Sequence, residues 1–406
     1  DTRLAGNSEP VAKVMAVAWS PDAQWLGVGD TDGVVWIWSA ATLDGAPYKN
    51  SRDHGGEDGF RAHGNNVFAL GWSANSRILA SAADATVGLT HLDDVPGATL
   101  QGSYPIGWSP TDARILVTTE TRRSGVLLVW NAETRECLQR HKMQKDVCSL
   151  TWHPSGEAFA TGSNDTTVCV WDGDASARGG CFQCLTKHSK DVDTVCFNSQ
   201  YLASCSGRDH TIQIYPVDTW KRAVKIKLDT AVSPRKMKWH PLGEPWLAVA
   251  CFRYENHCLR IYAPPDGDIK NMSSIAELAI NGVPDSLDWA PCGTSVAVSC
   301  DKVVNLFTFN FEEGLSQSQV LLGHTKMIRL QFSPTAPVRL ATGSLDADVL
   351  VWEWPTGLPA VPKPADADEA AAESAAGVLE HAGEDDQPDL LERVEVRRKK
   401  KKCSIQ

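Results

Sequence analysis

Eight times along this chain an aromatic residue is followed by a small or polar residue and then, usually, by proline. The aromatics are Trp19, Trp72, Trp108, Trp152, Phe197, Trp239, Trp289 and Phe332, spaced by 53, 36, 44, 45, 42, 50 and 43 residues. A sustained period of about 40–45 residues, built from short β segments and turns, is the signature of propeller blades. Such a repeat builds a surface and seldom a reaction centre.

Each unit has one grammar. A strand ends at the anchor aromatic, as in Val147 to Trp152, and a turn follows with proline and glycine in turn-compatible places, His153-Pro-Ser-Gly156. A second strand (158–163), a tight turn at Asn164-Asp165 and a third strand (167–171) come next. The third strands end at Trp38, Thr90, Trp130, Trp171, Tyr215, Tyr262, Phe307 and Trp352. Their spacings of 52, 40, 41, 44, 47, 45 and 45 make a second register that agrees with the first. A less regular fourth strand completes each unit.

The segments ATGSNDTTVCVWD (160–172) and ATGSLDADVLVWEW (341–354) closely resemble WD40 repeats, and ASCSGRDHTIQIY (203–215) and ASAADATVGLT (80–90) are weaker copies. The resemblance covers residues 1–354. It implies an all-β, closed propeller of eight blades, with seven as the alternative if one of the degenerate units six and seven is a decoration. The last unit stops at its third strand, 349–352, while residues 2–7 look like a fourth strand and connector. The N-terminal strand is therefore expected to complete the final blade and leave no open edge at the seam.

Net charge is −11, which argues against broad nucleic-acid binding. No run of about 18 uncharged apolar residues exists, so no helical bilayer span is expected. Twelve cysteines are scattered, several in predicted strands: Cys148, Cys169, Cys196, Cys205, Cys251 and Cys300. They read as reduced, small, buried apolar residues. Cys181-x-x-Cys184 lacks a second ligand pair, so a plain strand or loop is expected there and no metal.

Two constellations look like chemistry: His141, Thr161 or Ser163, Asp165 and Trp171, and again His324, Thr342 or Ser344, Asp346 and Trp352. A serine–histidine–aspartate set invites a hydrolase reading. The set recurs in several units, whereas an enzyme needs one site with an oxyanion hole. The WD40 resemblance implies that these groups satisfy one another inside a blade. No phosphate loop, zinc-protease, nucleophile-elbow or dinucleotide motif is present, so no enzyme activity, cofactor or small-molecule substrate is expected.

Lys221, Arg222, Lys225, Lys227, Arg235, Lys236 and Lys238 form the one basic cluster of the repeat region. A solvated outer strand explains Lys225 and Lys227, which alternate with Val224, Ile226 and Leu228. Lys236 and Lys238 lie on an inner-type strand, where they can point into the central channel. An anionic partner is the alternative reading. Turn and connector positions on one rim, Lys145, Asn164, Lys190, Arg208, Lys326 and Leu345, are the expected contacts for partner proteins, with Arg208 foremost.

Residues 355–396 turn Pro-, Ala- and acid-rich and read as a flexible linker. The insertion at 41–60 reads as a long loop. The tail, 397–406, carries Arg397, Arg398, Lys399, Lys400, Lys401 and Lys402 and then Cys403-Ser-Ile-Gln406. Cysteine fourth from the end, Ile405 and Gln406 match a farnesylation box, and a polybasic run is the second signal such an anchor needs. The tail resembles those of prenylated small GTPases. The expectation is a protein-interaction scaffold held at a cytoplasmic, anionic membrane face. The alternative is a nuclear subunit of a multiprotein complex that uses 397–402 for import.

Overall fold

The computed structural model describes residues 2–3, 12–43, 48–50, 63–93, 97–175, 180–254, 257–311 and 313–353. The linker, the basic tail and most of the 41–60 insertion lie outside them. Among the described residues the chain forms eight antiparallel sheets of four strands each, arranged as eight propeller blades.

The inner strands are Val14–Trp19, Ala69–Trp72, Ser103–Trp108, Val147–Trp152, Thr194–Phe197, Val232–Trp239, Pro284–Trp289 and Ile328–Phe332. All eight end on the anchor aromatic. The second strands are buried over all or most of their length, Ala158–Ser163 and Ser295–Cys300 completely. They are covered by a neighbouring blade on each face, which is why they read as continuous runs of small and apolar residues instead of alternating ones. Outer strands such as Glu136–Lys142 meet solvent and carry charge.

The ring closes as expected. Thr2–Arg3 pairs with the third strand of the last blade, Val349–Glu353, with Thr2 opposite Val351 and Arg3 opposite Leu350. Blades 6 and 7 form complete sheets despite lacking the histidine and turn aspartate.

The anchors join each blade to the one before. The indole N–H of Trp72 donates to Ala18 O at 3.0 Å, Trp108 to Gly71 O at 2.8 Å and Trp152 to Gly107 O at 3.1 Å. Trp239 reaches Cys196 O at 3.0 Å and Trp289 reaches Lys238 O at 3.1 Å. In every case the acceptor is the residue just before the previous anchor. At two further anchors a side-chain oxygen from the same position takes the anchor's backbone N–H instead. Phe332 N donates to Asp288 Oδ2 at 2.8 Å, and Trp19 N donates to Gln331 Oε1 at 2.8 Å across the seam. Five indole donors thus find their partners one blade back, whereas the buried Trp19 indole N–H makes no hydrogen bond among the described residues.

Cysteines 169, 205, 251 and 300 are buried, and Cys196 is half-buried. Cys148 departs from the expectation. It is exposed, because strand alternation turns it outward, and its thiol donates to Asn164 Oδ1 at 2.9 Å.

Candidate functional site

Three histidines occupy equivalent slots, each four residues ahead of a buried Val or Ile at the start of a blade. His63 precedes Val67, His188 precedes Val192 and His324 precedes Ile328. His324 Nε2 lies 2.9 Å from Thr342 Oγ1, its Nδ1 lies 3.3 Å from Asp346 Oδ1, and Trp352 Nε1 donates to the same threonine at 3.1 Å. His188 Nε2 lies 2.8 Å from Ser204 Oγ, and its Nδ1 lies 3.0 Å from Asp209 Oδ2. His63 contacts Thr86 Oγ1 at 2.7 Å and Ser81 Oγ at 2.8 Å. By distance, Ser204–His188–Asp209 is a full serine–histidine–aspartate array. It is sealed, however: Ser204 and the His188 side chain are both 0% exposed, so no substrate reaches the hydroxyl. Burial pushes His63 down to about 4 and also lowers His188, opposed by Asp209, so the rings stay neutral near pH 7.

His141 does not join such a set. It sits two residues too early, on the outer strand of blade 3, where Nε2 meets Gln139 Oε1 at 3.0 Å and the ring packs 4.9 Å from Trp171. Met143 holds the slot, four residues before Val147, and its sulfur accepts from Thr161 Oγ1 at 3.7 Å, while Trp171 donates to Thr161 Oγ1 at 2.9 Å. Asp165 instead accepts from Thr167, and the hydroxyls of Ser163 and Ser344 donate to the carbonyls of Lys145 and Lys326. Sequence reading missed His63 and His188. The constant spacing of four to the buried Val or Ile is the signal that identifies them.

The six expected contact positions share the rim at which the inner strands begin, but they form no single site. Lys145 and Asn164 stand on blade 4, and Lys190 in the connector into blade 5. Lys326 and Leu345 line a shallow hollow with Met327 between blades 7 and 8. Arg208 alone opens onto a groove of about 510 Å³ formed by blades 5, 6 and 7.

That groove is lined by Asp193, Arg208, Arg235, Lys236, Phe252 and Asp285, among others. Arg235 stacks over the Phe252 ring at 5.4 Å. The acids there are engaged: Asp285 pairs with Arg329, and Asp193 Oδ2 accepts from Gly207 N at 2.6 Å. Arg208 pairs with Asp191 at 2.9 Å. Among the described residues, Arg235 and Lys236 form no ion pair. Desolvation in the groove, and then the nearby Arg329 guanidinium, lower the Lys236 ammonium from the ordinary lysine range, although its side chain still reaches solvent. The groove thus carries two cations without an ion pair among the described residues, one of them stacked on an aromatic face.

The basic cluster thus divides. Lys225 and Lys227 lie exposed on the outer strand Val224–Lys227, as expected. Lys238 points into the channel, where it pairs with the buried Asp288. Cys181 and Cys184 lie on the strand Cys181–Leu185, and no metal-holding cluster is found among the described residues.

A family model described as WD domain, G-beta repeat, matches residues 2–39, 57–89, 133–172, 179–215 and 315–353. Blades 6 and 7 fall in the unmatched stretch 216–314. Protein HIR1 of Mycosarcoma maydis is 28% identical over 241 residues, which is 57% of this chain and 21% of that protein. Periodic tryptophan protein 2 of Arabidopsis thaliana is 26% identical over 236 residues, 56% of this chain and 24% of that protein. The match therefore spans less than a quarter of either relative. Among solved structures, Sqt1 of Saccharomyces cerevisiae superposes with a TM-score of 0.68 at 14% identity, covering 87% of this chain and 99% of its own. A chain of the Mitotic Checkpoint Complex gives 0.57 at 18% identity, covering 70% and 86%. At these identities the likeness shows the fold.

Proposed function

This chain carries WD40 repeats closed into an eight-bladed propeller, and from that premise we propose that it is a non-catalytic scaffold subunit of a nuclear multiprotein complex. Its partner docks an acidic peptide segment in the groove of Arg208, Arg235 and Lys236. The single observation behind this reading is the groove's two cations without an ion pair among the described residues, Arg235 stacked over Phe252 and Lys236 beside it in the lining, where Asp285 is already paired with Arg329. A peptide carboxylate or phosphate would accept charge-assisted hydrogen bonds there, and its apolar neighbours would cover the Phe252 face. The similarity to Protein HIR1 and the six consecutive cations at 397–402 support a nuclear setting over a membrane one.

The test is affinity purification of the full chain beside the R235E/K236E double variant, with imaging of a variant whose residues 397–402 are neutralised. Loss of the same partners from the double variant, and loss of nuclear enrichment from the tail variant, are expected. Unchanged partners would refute the groove, and unchanged nuclear enrichment would refute the import role.

A second reading rests on Cys403-Ser-Ile-Gln406, which fits farnesylation. In that case the scaffold is tethered to an anionic cytoplasmic leaflet by lipid and basic run together. Metabolic prenyl labelling that disappears in C403S would establish it, and absence of labelling in the wild type would eliminate it.

A further inference from the structure

Three thiols meet on one face of blade 4. In a regular strand Cys181 and Cys184, three residues apart, would point to opposite faces. The pairing with Val168–Asp172 contains a bulge that prevents this. Cys184 is opposite Cys169, Gln183 opposite Val170 and Cys181 opposite Trp171, so Phe182 is the extra residue. Cys169 and Trp171 share a face, and their partners Cys184 and Cys181 therefore share it too. Cys169 Sγ lies 3.8 Å from Cys184 Sγ. Cys181, opposite Trp171, stands diagonal to Cys169 on that face. Cys181 and Cys184 are exposed at the outer edge of the blade, while Cys169 is buried behind them.

We propose that Cys169, Cys181 and Cys184 form a peroxide-responsive thiol site, in which Cys181 is the attacking thiolate and Cys169 the resolving thiol. The Cys181 sulfur attacks the outer oxygen of a hydroperoxide, the O–O bond breaks, and an alcohol or water leaves after taking up a proton. Cys181 becomes a sulfenic acid. The Cys169 sulfur then attacks the Cys181 sulfur, an S–S bond forms and water departs. Two thiols lose two electrons in total, and one hydroperoxide gains them. Cys184, in contact with Cys169, can afterwards displace Cys181 by exchange. Either product ties the outer strand of blade 4 to its third strand. The thiol chemistry is consistent with these roles. Interaction with Cys169 holds Cys181 down to about 7, and the same interaction, followed by burial, raises the Cys169 thiol; burial also raises the exposed Cys137 and Cys148, the latter to about 11.

The intact chain, treated with one equivalent of hydrogen peroxide and mapped by mass spectrometry after denaturing alkylation, tests this. A Cys169–Cys181 or Cys169–Cys184 linkage is expected, reversed by dithiothreitol, with Cys181 alkylating in the reduced chain at least roughly tenfold faster than Cys137 or Cys148 at pH 7. C181S, a change at an exposed position, should abolish the fast reaction. C169S should leave Cys181 trapped as a dimedone-reactive sulfenic acid. If C169S fails to fold, the mapped wild-type linkage alone decides. Sulfinic acid at Cys181 without any linkage to Cys169, equal alkylation rates, or stoichiometric zinc in the purified protein would each overturn the proposal.

Discussion

The indole N–H of Trp289 donates to the carbonyl of Lys238, 3.1 Å away and one blade back along the ring. The same bond recurs at four other anchors, so the aromatic repeat is a set of latches between blades as well as a packing motif. Trp289→Phe keeps most of the packing and leaves the Lys238 carbonyl without this donor. It should cost about 1 kcal/mol in urea unfolding. Trp108→Phe lies several blades away, so the two losses should add to within about 0.5 kcal/mol.

Asp288 substitutes for a missing latch. It accepts the Phe332 backbone N–H at 2.8 Å and also pairs with Lys238, so it binds blades 6, 7 and 8 together. Asp288→Ala strands a buried N–H and leaves the channel ammonium unpaired. A loss of about 2 kcal/mol is expected, discounted because Lys238 retains solvent. Lys238→Met should cost less, since Asp288 keeps its backbone donors.

Neutral buried histidines give stability a defined pH dependence. A histidine whose folded pKa is depressed contributes fully above its unfolded value of 6.5 and loses that contribution as pH falls toward the folded value. For His63, at about 4 in the fold, about 2 kcal/mol should be lost on going from pH 8 to pH 5. His188 shifts in the same direction and steepens the fall. Urea midpoints measured across this range should drop, and His63→Gln should flatten the dependence.

The two sequence-equivalent histidines should behave differently. His324→Ala abandons Thr342 and Asp346 in a buried site and should cost about 2 kcal/mol or more. His141→Ala removes a half-buried ring that meets Gln139 and Trp171, and should cost under about 1 kcal/mol. Thermal melts of both variants check the assignment of the slot to Met143.

Anion binding in the rim groove should depend on pH through Lys236. Its ammonium is held below the ordinary lysine range, so peptide affinity should begin to fall at lower pH than an ordinary surface lysine would give. A bound carboxylate favours the charged form, so binding should be accompanied by proton uptake in that window. Titration of an acidic peptide in buffers of differing ionisation enthalpy measures this. Lys236→Arg should remove the proton uptake while retaining affinity.

Much of the architecture was legible in one dimension. The anchors Trp19 to Phe332 terminate the eight inner strands, and the split last blade is closed by Thr2–Arg3, because strand ends and turns are local events written in aromatic, proline and glycine positions. Rim membership of Arg208 or Lys326 was legible too, since it follows from strand order alone. His141 was misplaced because the slot is defined by distance to the next blade's first buried residue, and a two-residue slip leaves the local motif looking intact. Which rim charges are already engaged was not legible: Arg329 on the inner strand of blade 8 pairs with Asp285 on the inner strand of blade 7. The Phe182 bulge was likewise invisible in Cys-x-x-Cys, although it alone brings three thiols to one face. The sequence by itself therefore determined the repeat, the order of the blades and the way the ring closes, through periodic local signals, and the structure decided for eight blades over seven. Only the tertiary structure decided which charges remain unpaired and which thiols touch, because those depend on distances between residues that the repeat brings together from different strands and different blades.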